Sequence, residues 1–191
     1  MTQRAMPSAA GGHRETEAPS TWVRRFAGLI RPGGEVLDLA CGGGRHVRLL
    51  HELGFRVVAV DRDVAGLTGL AGRAGLEILE RDLEDGGPFA LSGRSFDAVV
   101  VTNYLYRPIL PALVEAVAPG GLLIYETFAK GNERFGRPAN PDYLLDSGEL
   151  LQAVAGELRV LAYEDLTVER PRPAAVQRIC ARREAPPADP I

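Results

Sequence analysis

The residues best placed to do chemistry fall in one short run, "VLDLACGGGRH", from Val36 to His46. Asp38 sits inside an apolar stretch, where a buried carboxylate is costly unless something pairs with it. Four residues later come Gly42, Gly43 and Gly44, and a helix-like pattern begins directly after them. Glycine costs conformational freedom, so three in a row imply a tight turn or a ligand held close to the backbone. Two further acids close apolar runs: Asp61 ends "RVVAVD", and Asp82 with Leu83 follows "LEILER". Asp61 is placed to accept hydrogen bonds from ribose hydroxyls, and Asp82 to meet a base edge. Three acids at the ends of three consecutive strands, with the glycine turn, suit a nucleoside better than a bare phosphate. Each acid alone is equally well read as a helix cap or turn residue, and the glycines alone as a turn that holds nothing. The dinucleotide pattern G-x-G-x-x-G is incomplete, because Val47 stands where its third glycine belongs.

These residues need a scaffold. "STWVRRFAGLI" starts with a Ser/Thr cap and spaces Trp22, Phe26 and Leu29 or Ile30 along one helical face. "EVLDLA" reads as a strand, and residues 45–53 as a helix with Val47, Leu50 and Leu53 on one side, stopped by Gly54. "RVVAVD" is almost continuously apolar, the pattern of a strand covered on both faces. Asp63 then caps a helix carrying Val64, Leu67 and Leu70, weakened by Gly66, Gly69 and Gly72 at roughly 1 kcal/mol each. "LEILERD" and "FDAVVVTN" are the third and fourth strands. Ile109, Ala112, Leu113, Ala116 and Val117 recur at helical spacing, with Pro108 and Pro111 in the first turn. "LLIYETF" is strand five. A helix near residues 147–154 and two late strands, "ELRVLAYED" and "AAVQRICARR", complete the chain. Strand alternating with helix predicts an α/β fold: a doubly wound, mostly parallel seven-stranded sheet with helices on both faces. In such sheets the ligand lies outside the carboxyl ends of the strands, where the strand order reverses. The glycine turn falls there.

The bulk numbers fit one domain. The chain has 191 residues, 46% hydrophobic and 25% charged, with net charge −3. That balance gives no general attraction to nucleic acid or to an anionic membrane. Lys130 is the single lysine against many arginines, a coding bias and not chemistry. Cys41 and Cys180 show neither metal-ligand spacing nor a disulfide framework, so no metal is expected and a reducing cytosol fits best. No apolar run approaches a membrane span. Residues 1–19 are polar and rich in Ala, Gly, Ser and Pro. They read as a disordered tail, as do residues 185–191, with one domain over 20–184 between them.

"VLDLACGGG", "VVAVDRD", "ERDLED", "FDAVVVTNYLY" and "APGGLLIYETF" together resemble motifs I to VI of the class I S-adenosylmethionine-dependent methyltransferases, in order, over residues 35–127. The stretch "YETFAKGNERFGRPANPDYLL" resembles the small bacterial tellurite-resistance type. The resemblance implies a Rossmann-like fold with S-adenosyl-L-methionine as cofactor. It implies that Asp38 orients the loop and the methionine amino group, while Ala40, Cys41, Gly42 and Gly44 wrap the methionine end. Asp61 would hold the ribose hydroxyls with Arg62 beside the adenine. Asp82 and the Leu83 N–H would read the adenine edge, and Thr102 and Asn103 would border the sulfonium. His46 is either a cofactor contact or a solvated helix residue.

The acceptor side is less legible. "NYLYR", residues 103–107, is not the Asn-Pro-Pro-Tyr motif of enzymes acting on amide or exocyclic amine nitrogens. Tyr104, Tyr106 and Arg107 either shape a pocket or pack under a loop. Glu126 is either a base or the partner of Arg134 or Arg137. Tyr104, Arg107 and Glu126 are therefore the catalytic candidates. The expected function is methyl transfer to a small acceptor, anionic if the loop arginines bind it, by a cytosolic monomer or homodimer. The alternatives are a nicotinamide-dependent Rossmann oxidoreductase and a nucleoside-binding protein without chemistry.

Overall fold

The computed structural model describes residues 18–186. Most of the two expected tails lies outside these residues, and only residues 18, 19, 185 and 186 of them are described.

Seven strands form one sheet: β1 (Glu35–Leu39), β2 (Arg56–Asp61), β3 (Leu76–Glu80), β4 (Phe96–Thr102), β5 (Val117–Phe128), β6 (Arg159–Val168) and β7 (Ala174–Arg182). Their order is β3-β2-β1-β4-β5-β7-β6. Strands β1 to β5 run parallel, and β7 is antiparallel to both β5 and β6. The predicted sheet is therefore present. The chain winds outward through β1, β2 and β3 and resumes at β4 on the other side of β1. The switch point thus lies between the carboxyl ends of β1 and β4, where this class of sheet binds ligands.

Both faces are covered, for reasons visible in the helices. In α1 (Thr21–Ala27) the Ser20 side chain accepts from the Trp22 and Val23 N–H groups, and the helix buries Trp22, Val23 and Phe26. With Val47, Leu50 and Leu67 these residues pack against Val36, Val57, Ala98 and Ile124 on one face. On the other face, Leu113 of α3 (Leu110–Glu115) and Leu150 of α4 (Glu149–Val154) pack against Leu37, Val99, Val101 and Tyr125. Each fully buried side chain of this size contributes about 1.5–3 kcal/mol.

Three elements differ from the sequence reading. The helix expected after Asp63 is a 3-10 turn, Ala65–Leu70, because Gly66 and Gly69 remove the helical preference that would extend it. The helix expected through Val117 stops at Glu115, and Val117 pairs with Phe96 as the start of β5. The register then skips from Phe96↔Val117 to Ala98↔Leu122, so "APGG" is a bulge within a long strand and not its boundary. In α2 (Arg45–Glu52), Leu53 is exposed and His46 occupies the buried face instead.

Candidate functional site

The glycine turn leaves β1 with its backbone in the left-handed region at three positions: Ala40 (φ 52°), Gly42 (φ 51°) and Gly44 (φ 77°). Alternation through Ala40, Gly42 and Gly44 bends the turn under the start of α2. The three glycines do different work. A Cβ on Gly44 would lie 2.0 Å from Leu67 Cδ2, so the turn is packed shut there, whereas Gly42 and Gly43 face open space. Gly66 supports the turn from outside, since its own Cβ would lie 3.0 Å from Gly43 Cα. Arg48 clamps the two together, donating from Nη1 to the Gly43 carbonyl (2.5 Å) and from Nη2 to the Gly66 carbonyl (2.9 Å). Sequence reading missed Gly66 and Arg48. An arginine one helical turn after a glycine run was their one available signal.

Asp38 lies beneath this turn, 1% exposed, and its Oδ2 atom has no hydrogen-bond partner. Burial raises its pKa to about 7, against the opposing pull of the Arg45 charge and a Val47 N–H, with the Asp61 charge adding to the rise. Buried carboxylate oxygens are normally hydrogen-bonded, so this one fits a site for a cation or a donor. At the end of β2, Asp61 is half-buried. Its Oδ2 accepts from the Gly42 N–H (2.8 Å) and its Oδ1 from the Asp63 N–H (3.0 Å). Arg62 is exposed beside it. Asp82, also exposed, accepts from the Glu84 N–H (2.9 Å), while Leu83 packs half-buried against the core. Cys41 is buried, its N–H donates to the Val60 carbonyl (3.1 Å), and burial pushes its thiol pKa well up. The turn and the three acids thus share the carboxyl edge of β1, β2 and β3.

At the ends of β4 and β5 the polar groups are tied to one another. Asn103 is exposed with φ 55°, and with Ala40 it completes the pair of left-handed non-glycine residues among those described. One flanks each side of the switch point. Such backbone costs about 1–3 kcal/mol per residue and collects at ligand sites. Thr102 is buried, and its Oγ1 meets His46 Nδ1 (3.3 Å). The other ring nitrogen, Nε2, accepts from the Ser20 N–H (3.0 Å), which fixes the proton on Nδ1. His46 is 1% exposed and burial lowers its pKa to about 3, so it is neutral. It is neither a solvated helix residue nor open to a ligand in this state, because α1 begins on top of it.

Glu126 corrects the sequence reading in the same way. It does not pair with Arg134 or Arg137. Its Oε1 accepts from Ser20 Oγ (2.8 Å), and its Oε2 lies 2.5 Å from Arg178 Nε as an ion pair instead of an aligned hydrogen bond. The Arg178 fork continues to Glu164 (3.2 Å) and lies over the Trp22 ring. Arg107 is likewise committed. It makes two bonds to Glu149 (2.7 and 2.9 Å) and donates to the carbonyls of Asp142 and Leu144, which holds the loop in place. Tyr104 is half-buried, and its main-chain carbonyl accepts from Tyr125 OH (2.9 Å). Its own hydroxyl is buried without a partner, and desolvation with the nearby Glu84 charge drives its pKa up.

The loop after β5 is ordered. Asn132 is 2% exposed, donates to the Pro138 carbonyl (2.9 Å) and accepts from the Ala175 N–H (3.3 Å), between 3-10 turns at Asn132–Arg134 and Pro141–Tyr143. Arg134, Phe135, Arg137 and Tyr143 remain exposed on it. A groove of about 890 Å³ runs between α3 and α4, lined by Leu110, Val114, Gln152, Ala153 and Arg183 among others. Its lining includes Arg107 and its partner Glu149 but no residue of the glycine turn and none of the strand-end acids.

A mostly parallel doubly wound sheet ending in an antiparallel hairpin, with a glycine turn and strand-end acids at its switch point, is the Rossmann-like fold of the class I S-adenosylmethionine-dependent methyltransferases. Residues 36–121 match the family described as methyltransferase domain. The chain is 32% identical over 161 residues to the ribosomal protein L11 methyltransferase of Thermus thermophilus, covering 80% of this chain and 59% of that protein. The curated relatives it matches are longer, and the chain spans 44% to 59% of their length. Its fold is that of TehB from Haemophilus influenzae, with TM-score 0.73 at 21% identity over 88% of this chain and 63% of that one. It is also that of the 1,6-didemethyltoxoflavin-N1-methyltransferase of Burkholderia thailandensis, solved with 1,6-didemethyltoxoflavin and S-adenosylhomocysteine. There the TM-score is 0.59 at 19% identity, over 86% of this chain and 79% of that chain. Among the described residues no helix is long and apolar enough to cross a membrane.

Proposed function

We propose that the chain binds S-adenosylmethionine and transfers its methyl group to a small-molecule acceptor. The observation that carries this reading is the Asp38 oxygen left without a partner beneath a left-handed turn. An ammonium group satisfies it with charge and hydrogen bonds together. The pyrophosphate of a nicotinamide dinucleotide would set like charges against each other at the same place.

The other roles follow by position. The backbone of Ala40, Cys41, Gly42 and Gly44 holds the methionine end, which is why Gly42 and Gly43 face open space. Asp61 takes the ribose hydroxyls, Arg62 flanks the adenine, and Asp82 with the Leu83 N–H reads its edge. Thr102 and Asn103 border the reacting methyl. When bound, the cofactor supplies a methyl group on a sulfonium, already a strong donor. The protein's share is alignment of the acceptor and exclusion of water. The toxoflavin enzyme, which shares the fold and was solved with a small molecule bound, supports a small acceptor. The exposed Arg134 and Arg137 on an ordered loop support an anionic one. The reading carries with it a cytosolic enzyme working as monomer or homodimer.

Titration calorimetry of the full chain with S-adenosylmethionine, its demethylated product and NAD tests the first step. The first two should bind and NAD should not; binding of NAD alone overturns the reading. A labelled-methyl screen against metabolite pools then separates an enzyme from a binding protein and identifies the acceptor.

A further inference from the structure

Among the described residues, the side chains at the carboxyl ends of β4 and β5 that could act as a general base for the acceptor are tied to protein partners, except the Tyr104 hydroxyl, which is buried without one. Neither oxygen of Glu126 is offered to an incoming proton: Ser20 Oγ donates to one and Arg178 holds the other. Arg178 is itself shared with Glu164 of β6, whose second oxygen faces Arg25 of α1 (3.7 Å). His46 Nε2, the one imidazole lone pair here, is occupied by the Ser20 N–H, so protonating it would lift the start of α1. Thr102 Oγ1 accepts a hydrogen bond from His46 Nδ1–H. The Tyr125 hydroxyl is spent on the Tyr104 carbonyl. The Tyr104 hydroxyl is buried without a hydrogen-bond partner, and desolvation, with the Glu84, Tyr125 and Asp82 charges adding to it, drives its pKa up, so the phenol keeps its proton. A base must reach the proton it removes, directly or through one water; Glu126, His46, Thr102 and Tyr125 are held away from that task by partners up to 106 residues distant in sequence, and the Tyr104 phenol by burial.

We infer that methyl transfer at this site is base-free, the acceptor atom arriving with a free lone pair at neutral pH. This rests on the methyltransferase reading above. The class it selects is thiolates, carboxylates and other ionised oxygen or sulfur nucleophiles. It rejects alcohols, amides and alkylammonium groups. The new bond forms from the acceptor lone pair to the methyl carbon. The breaking carbon–sulfur bond returns its electron pair to sulfur, so an anion and a sulfonium become two neutral groups and no proton moves.

The test uses the full chain, methyl-labelled S-adenosylmethionine and a series of ring-substituted thiophenols and phenols, some ionised at pH 7 and some not. Rates at fixed pH should rank with the ionised fraction. Each probe's pH profile should rise to a plateau at that probe's own ionisation, and Glu126→Gln should keep activity within about threefold. Independently of turnover, nitrogen NMR of the free chain should show His46 fixed as the Nδ1–H tautomer from pH 5 to 9. Equal transfer to un-ionised phenols overturns the inference. So does an inflection common to all probes, a hundredfold loss in Glu126→Gln with cofactor affinity intact, a His46 that titrates in that range, or cofactor binding without transfer to any ionised probe. Failure to bind S-adenosylmethionine instead overturns the reading beneath it.

Discussion

The carboxyl ends of β1 to β3 and those of β4 and β5 lie along the same edge of the sheet, yet the carboxylates nearest the switch point, Asp38 and Glu126, are in opposite states. On the first side an oxygen of Asp38 is orphaned, Ala40 is held in a left-handed conformation, and open space stands over Gly42 and Gly43. On the second side Glu126, His46, Thr102 and Arg107 have all found partners within the protein. The difference separates two kinds of site. One side keeps unsatisfied groups that a particular ligand must complete. The other is a wall of side chains paired within the protein, against which the proposed acceptor would be positioned without chemical activation.

The sharpest way to break the donor side is Gly44→Ala. It forces a side chain into φ 77° and a methyl group to 2.0 Å from Leu67 Cδ2. The two costs together are about 2–5 kcal/mol. Thermal denaturation should show that loss, with cofactor binding lost alongside. Gly43→Ala meets nothing and should stay within about 0.5 kcal/mol of the parent. If the two variants behave alike, the turn is not packed as described.

The acceptor side breaks with acid. His46 ionises near 6.5 when unfolded and near 3 when folded. The unfolded chain therefore takes up a proton first as pH falls. The stability of the neutral ring is fully present above about pH 6.5 and is lost toward pH 3, at up to ~1.4 kcal/mol per pH unit. Unfolding free energies from denaturant titrations between pH 7 and 4 should fall by at most about that slope, and His46→Gln should flatten the fall. An equal slope in His46→Gln would assign the acid sensitivity elsewhere.

Asp38 sharpens the contrast, because its state should depend on the ligand. In the free protein it holds a proton below about pH 7. A cationic ammonium beside it expels that proton. Affinity for S-adenosylmethionine should therefore weaken by up to tenfold per unit below that pH, with proton release visible in calorimetry buffers of different ionisation enthalpy. Asp38→Asn should cost about 1.5–3 kcal/mol of affinity and abolish the proton release. A pH-independent affinity in the parent would remove the carboxylate from the ligand.

The same contrast explains what was legible in the sequence. The parallel sheet announces itself in alternating apolar runs, and the donor side in residues that act near their own position: a glycine turn, and acids at strand ends. The acceptor side is made by distant pairings. Glu126 finds Ser20 and Arg178 instead of the nearby Arg134 or Arg137, and Arg107 finds Glu149. Nothing in the spacing of "NYLYR" or "YETF" announces those partners. His46 misled for a related reason. Its helical position alone cannot reveal that the start of α1, 26 residues earlier, lies on it. The short 3-10 turn after Asp63 was legible only as a weakness, because the requirement for Gly66 comes from Gly43 and not from its own segment.

If the wall is saturated, selection of the acceptor falls to the groups it leaves free. Arg134 and Arg137 are exposed on the anchored loop, where Arg134 Nε donates to the neighbouring Gly131 carbonyl (3.1 Å) and its guanidinium lies over the Phe135 ring. Replacing both with Ala should lower kcat/KM for the true acceptor by about 0.5–2 kcal/mol, the sum of two exposed charge contacts. Affinity for S-adenosylmethionine should stay unchanged. Full activity in the double variant would make the loop a connection and nothing more.

The smallest expected effect tests the strain itself. Ala40 holds φ 52° at the end of β1, a conformation that costs a side-chain-bearing residue about 1–2 kcal/mol. Glycine adopts it freely, but it gives the unfolded chain more freedom, worth about 0.4–1 kcal/mol in the other direction. Ala40→Gly should therefore be neutral or stabilising by less than about 1.5 kcal/mol. Because the proposed contact of residue 40 with the cofactor is made by backbone, affinity should change by less than about twofold. Asn103→Gly is the matched control at the end of β4, where φ is 55°. Asparagine tolerates that region better than alanine, so its gain should be smaller still. A clear loss of stability in Ala40→Gly would mean that the methyl group of Ala40 packs usefully and that the left-handed residue stores no strain. A clear loss of affinity at unchanged stability would place that methyl group, and not the backbone, against the ligand.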